Sequence, residues 1–319
     1  MTVCLCAALW GVQAGAAPFA YITNQGSHDV SVIDLATQQV TATVPVGRSP
    51  AGVVASSRAG RVYVSNPDSK TISVIDMRQQ RVVNTLPAGD GPVGIDISTD
   101  GRRLYVADWY RHQLLVFDAQ AADAARPLAA IAVGHAPAGV AAHDDGATVF
   151  VAERDDDSVA VVDTGTRQVL ARARVGSHPF ALLYDAPRQR LYALNVQSND
   201  VSVLDMRNLR QPLLMATVPV GKAPYGAALT QGGTRLYVTN QHDDSVSVLD
   251  TDALKVLNTL PGFGYPEGIA AYGDRVYVVN WMDDNVQVLD AASGRTLHSI
   301  DTGKNSRGFG AFIGGPLTP

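Results

Sequence analysis

Cysteine is almost absent: the 319 residues hold two, Cys4 and Cys6, both ahead of the first structural unit. A chain processed after residue 16 would carry no thiol, which excludes disulfides, thiolate metal sites and a cysteine nucleophile. Long hydrophobic runs are missing as well. The apolar stretch from Val3 to Ala16 is too short to cross a bilayer. It ends in Ala14-Gly15-Ala16 before Ala17-Pro18, so residues 1–16 read as a secretory signal peptide, although no Lys or Arg precedes the apolar run and the first basic residue is Arg48. The expected location is therefore periplasmic or secreted, with no membrane span after cleavage. Charge is sparse at 17% of residues, and the net charge of −5 gives no general attraction to nucleic acid or anionic lipid. No segment has a sustained helical period. The phosphate loop G-x-x-x-x-G-K-[ST], the nucleophile elbow G-x-S-x-G and the haem motif C-x-x-C-H are all missing.

What is present is a repeat. An aromatic strand ending in a polar residue recurs as Tyr21-Ile22-Thr23-Asn24, Tyr63-Val64-Ser65-Asn66, Tyr105-Val106-Ala107-Asp108, Phe150-Val151-Ala152-Glu153, Tyr192-Ala193-Leu194-Asn195, Tyr237-Val238-Thr239-Asn240 and Tyr277-Val278-Val279-Asn280. The aromatic positions step by 42, 42, 45, 42, 45 and 40 residues. An alternating strand closed by aspartate follows each, from Val30-Ser31-Val32-Ile33-Asp34 to Val286-Gln287-Val288-Leu289-Asp290. Period-two alternation, β-branched residues and Gly or Asp turns mark strands, and a period in the low forties built of short strands marks propeller blades. The fold class is all-β, a single seven-bladed β-propeller over residues 18–315. The chain enters on an aromatic strand at Tyr21 with no inner strand before it, so residues 303–312 are expected to supply the missing inner strand and close the ring.

The Tyr-Val-Thr-Asn, Val-Ser-Val-Leu-Asp and Val-Gly-x-x-Pro-x-Gly phrases resemble the YVTN-type β-propeller repeat family, close to the YncE-like, WD40-like propellers. The resemblance implies the fold. For function it implies only a range (binding, cofactor handling, surface roles), because fold does not dictate activity.

A repeat also carries an internal control: a residue found in every unit holds a blade together, and an odd one out is a candidate for function. The aspartates at 34, 76, 118, 163, 205, 250 and 290 are thus structural, capping turn amides. Five of the seven histidines, His28, His112, His135, His178 and His242, fall in loops of one face. Two readings stand. Exposed polar loops collect histidines anyway; alternatively His112, His135 and His178, with Asp108 and Glu153 replacing the usual Asn, hold a divalent metal such as zinc. A second cue is the residue after the proline equivalent, which runs Ala51, Val93, Ala138, Phe180, Tyr225, Glu267 and Arg307 around the ring. Glu267 and Arg307 either satisfy each other or grip a charged ligand. Trp109, Tyr110, Phe263, Tyr265 and Trp281 add aromatic surface to the same face, suited to a small ligand or a partner protein. The expected function is binding of a small ligand, a metal or a partner protein at this face, with no nucleic acid. A lyase- or lactonase-like enzyme using loop His and carboxylates and a protein-docking scaffold remain as alternatives.

Overall fold

The computed structural model describes residues 18–121 and 126–316; the proposed signal peptide lies outside them. Seven four-stranded antiparallel sheets surround a central channel. Blades 2 to 7 are each one run of sequence, within residues 53–87, 92–132, 137–174, 179–219, 224–261 and 266–301. Blade 1 is composite, pairing Ile313–Gly314 with the strands Phe19–Asn24, Asp29–Asp34 and Gln39–Pro45.

The repeated residues carry the frame as their recurrence implies. The aromatic positions are all buried to 2% exposure or less, between blades. Several tyrosines also bond onward, Tyr63 Oη donating to the Ala119 carbonyl at 2.8 Å and Tyr237 Oη to that of Ala291 at 3.1 Å. Every one of the repeated aspartates accepts a backbone amide of its own turn, as where Asp163 takes Gly165 and Thr166 at 2.9 Å.

The inner strands lie close together. In Gly-x-x-Pro-x-Gly, the last glycine faces the next blade's backbone: a Cβ on Gly94 would sit 2.0 Å from the Ala138 carbonyl oxygen, and one on Gly139 2.4 Å from that of Phe180. A side chain there would push two blades apart, so hydrogen is the only substituent with room.

Ring closure follows the expected segment with one difference. The regular pairing falls at Ile313–Gly314, opposite Ala20 and Phe19, just beyond the expected residues 303–312. Before it the chain still tracks the first strand, with Arg307 N donating to the Thr23 carbonyl and Tyr21 N to that of Phe312. Between these contacts it bulges inward through Gly308 (φ 60°) and Gly310 (φ 119°), conformations open chiefly to glycine. The bulge drives Phe309 into the centre of the ring. Phe309 is 6% exposed and packs with Phe180, Tyr225 and Val93, its ring 5.1 Å from Phe180 and 5.6 Å from Tyr225. The channel is stoppered there, leaving one cavity on each side.

Candidate functional site

On the loop face the stopper forms the floor of a cavity of about 790 Å³. Two loop sets build its walls: the lead-in loops before each inner strand and the loops after each aromatic strand. Both are fixed by a repeated lattice of bonds. The residue four past each strand end has a left-handed backbone, and in every blade but the second, where Lys70 instead reaches the loop by donating to Asp90 at 3.0 Å, its side chain takes an amide of the next lead-in loop. Asp157 so holds His178 N at 2.9 Å, Asn199 holds Ala223 N at 3.0 Å and Asp244 holds Tyr265 N at 3.0 Å. His28 and His112 occupy this same position, their Nδ1 atoms accepting from Ser49 N at 3.1 Å and Ala136 N at 3.2 Å. Two loop histidines thus do the work that Asp and Asn do in neighbouring blades.

The remaining metal candidates are placed by the same lattice. His135 Nδ1 lies 2.8 Å from Asp156 Oδ1, and that carboxylate raises the imidazole above its ordinary pKa. Its ring meets His112 edge-on at 5.0 Å. His178 stands apart in the cavity wall. Asp108 is fully buried and accepts Asp90 N at 3.1 Å and Gly91 N at 3.0 Å. Glu153, also fully buried, accepts Gly134 N and Ser158 Oγ at 2.7 Å and pairs with Arg172 at 2.9 Å. The two carboxylates that replace Asn therefore bond the lead-in loop as Asn240 does through Gly221 N. Among the described residues no three His, Asp or Glu side chains converge as a metal site.

The floor of the cavity is where the structure gathers candidates. Ala51, Val93 and Ala138 give a low half-ring, and Phe180, Tyr225, Glu267 and Arg307, from consecutive blades, a tall one. Arg307 Nε donates to Glu267 Oε2 at 2.7 Å, and its Nη2 donates to Tyr225 Oη. Gln241 Nε2 donates to the other Glu267 oxygen at 2.9 Å. Glu267 is 3% exposed. Burial pushes its carboxyl upward, and Arg307 and Gln241 pull the other way. Burial likewise raises the Tyr225 phenol, which stays neutral. The guanidinium lies 5.7 Å from the Tyr225 ring centroid, and Tyr225 stacks on Phe180 at 4.7 Å.

Above the floor, Trp109 lines one wall with Arg154 over its ring at 5.6 Å. Tyr265 lines the opposite one, its ring 5.6 Å from His242, which with Lys222 completes that side. Trp281 stands behind the wall, stacked on Tyr265 at 5.6 Å and donating from Nε1 to Gln25 at 3.1 Å. Tyr110 is exposed away from the cavity, and Phe263 is buried in the core between blades 6 and 7. Arg154, Lys222 and Gln241 were not singled out by the sequence, and His242 was named there only as one of five loop histidines. Their signal was available in the positions one and two past each strand end and in the lead-in loops, which vary from blade to blade.

Geometry shows a ring of seven blades with a built pocket, and the sequence itself shows the lineage: the pattern of the YNCE-like beta-propeller family matches residues 55–147 and 128–314. The chain belongs to that family. No curated protein matches this YNCE-like propeller. Solved structures similar to it share the fold at low identity. A chain of Kuenenia stuttgartiensis hydrazine synthase is 20% identical, with a TM-score of 0.73 over 90% of this chain and 99% of that one. A functionally unknown protein from Desulfotomaculum acetoxidans is 15% identical, with a TM-score of 0.78 over 94% of this chain and 100% of that one. The dihydro-heme d1 dehydrogenase NirN, in complex with DHE, is 16% identical, with a TM-score of 0.69 over 93% and 76%. At these identities the YNCE-like propeller shares architecture with them, and its site has to be read from its own residues.

Proposed function

We propose that this YNCE-like propeller is an exported binding protein whose ligand sits in the loop-face cavity and carries an anionic group and a flat ring. The observation that carries this reading is the uneven decoration of equivalent positions. Blades 5, 6, 7 and 1 put Phe180, Tyr225, Glu267 and Arg307 where the other blades put Ala or Val. A scaffold alone would not require that asymmetry.

Three cations, Arg154, Lys222 and Arg307, line the cavity against the single carboxylate Glu267, and Trp109, Tyr265 and Phe180 offer ring faces. The volume falls in the range of small-molecule sites, and apolar walls with a few converging polar groups suit one. Lys222 is paired only loosely, at 3.5 Å, to an exposed Asp243, so a ligand anion competes for it at little cost. Arg307, already held by Glu267 and Tyr225, acts as a preset positive charge beneath the ring.

Calorimetric titration of the chain lacking residues 1–16 with aromatic carboxylates, beginning with benzoate and larger fused-ring acids, tests this reading. Uncharged amides of the same rings are the controls. Binding of an acid but not its amide, weakened about tenfold or more by Lys222→Ala and by Tyr265→Ala, is the expected result. Equal binding of acid and amide, or no heat with any acid, overturns it.

A further inference from the structure

The other side of the stopper holds a second cavity of about 410 Å³. Its walls are the inner strands of blades 3 to 7 and residues 309–311, and its lining is glycine, alanine, valine, isoleucine, leucine and phenylalanine with two exceptions, Tyr184 and Asp96. Internal comparison marks Asp96 as the outlier. The residue two past the ring glycine or its equivalent is Val54, Ala141, Leu183, Ala228 and Ala270 in the other continuous blades, and Asp96 in blade 3.

Each Asp96 oxygen accepts one backbone amide, Oδ1 from Ile97 N and Oδ2 from Ala142 N, both at 2.8 Å. Among the described residues no Lys, Arg or His pairs with it. Two amides leave part of the carboxylate's accepting capacity unused, in a space too apolar to solvate a charge well. A cation supplied from outside would complete the site. A divalent metal does not fit, since Ca²⁺ and Mg²⁺ require several oxygen ligands and the walls bring one carboxylate. An ammonium group on a hydrocarbon body does fit: its N–H donors match the free lone pairs, and its body covers alanine and leucine walls.

We infer that the cavity beyond Phe309 is a second, separate binding site, taking a primary aliphatic amine whose ammonium group bonds Asp96. The space admits roughly a dozen water-sized groups, enough for a cyclohexyl or short alkyl body. This site is independent of the loop-face cavity, because Phe309 with Phe180, Tyr225 and Val93 fills the channel between them.

The test is calorimetry at neutral pH with cyclohexylamine and its uncharged counterpart cyclohexanol, on the intact chain, on Asp96→Asn and on Ala270→Leu. The amine is expected to bind at least about tenfold more tightly than the alcohol, with Asp96→Asn removing that preference. Ala270→Leu fills the cavity from the opposite wall and should weaken both compounds while leaving the carboxylate in place. If Asp96→Asn fails to fold, Ala270→Leu decides: amine binding that survives it undiminished lies elsewhere and overturns the inference. Absence of amine binding to the intact chain, or an amine preference that persists in a folded Asp96→Asn, overturns it as well. Either result would leave Asp96 as a clamp that joins blades 3 and 4 through Ala142 N.

Discussion

Arg307 carries two jobs at once, and separating them shows how much one side chain holds. It neutralises Glu267, which is 3% exposed, and it ties blade 7 to the closing segment and, through Tyr225, to blade 6. Removing it strands a buried carboxylate, and breaking a buried pair from one side costs about 3–5 kcal/mol. Arg307→Ala should lower the urea midpoint accordingly, and adding Glu267→Gln to it should recover part of the loss because no buried charge then remains. A second variant less stable than the first would disprove that account. Asp96 offers the opposite case, a carboxyl that folding leaves without a cation. Burial pushes it up to about 6, against the amides of Ala142 and Ile97. The folded state thus favours the protonated form, and the unfolded chain loses its proton first. The contribution to stability is full below about pH 4 and is lost as pH rises through 6, by about 3 kcal/mol at most. The difference in unfolding free energy between the intact chain and Asp96→Asn should change over that window and be flat above pH 7. A difference that does not move between pH 4 and 7 would contradict it.

Elements explain what was legible in the sequence. A blade strand announces itself because side chains alternate between two faces at a fixed spacing, so the aromatic strands and aspartate turns could be placed from the residues alone. The floor positions were legible for a related reason: the Pro-x-Gly phrase anchors the count, and Phe180, Tyr225, Glu267 and Arg307 fall in one column. The loop histidines were not separable by type, since an imidazole Nδ1 accepts an amide as an Asp or Asn oxygen does. Only the bond from Ala136 N to His112 tells frame from site. The inward bulge of the closing segment was also hidden, because its shape depends on the space that six other inner strands leave. Those inner strands yield a prediction of their own. Gly94→Ala would bring a Cβ within 2.0 Å of the Ala138 carbonyl, and should cost about 3 kcal/mol, near the upper end of overpacking. Blade 5 already carries alanine at this position, so Ala181→Gly should change stability by about 1 kcal/mol or less. Thermal melts of the two variants compare the sites directly, and a Gly94→Ala protein as stable as the parent would show that the blades have slack.

At the scale of the whole molecule, closure rests on a short stretch of chain. Residues 303–314 pair with the first strand, reach blade 2 through Phe309 O to Val53 N and Ala311 O to Ala55 N at 2.8 Å, and reach blade 7 through Gly268 N to Arg307 O. Ending the chain at residue 302 should abolish a cooperative melt at temperatures where the full chain is folded, because the Phe19–Asn24 edge and the faces of blades 2 and 7 are left bare. A synthetic peptide of residues 303–316 added in trans should restore it in part. A truncated chain that melts like the parent would mean that the ring holds without its clasp.

The same stretch sets an order in time. Arg307 and Phe309 are translated after all seven aromatic strands, so a nascent chain can have most of its blades and still lack the Arg307 that completes one cavity floor and the Phe309 that divides the two cavities. On the binding proposed above, a ligand would not assist the early folding of this protein or be captured by a partly made copy. Occupancy would report that synthesis had run through the closing segment, and any protease that nicked that segment would empty both cavities at a single cut.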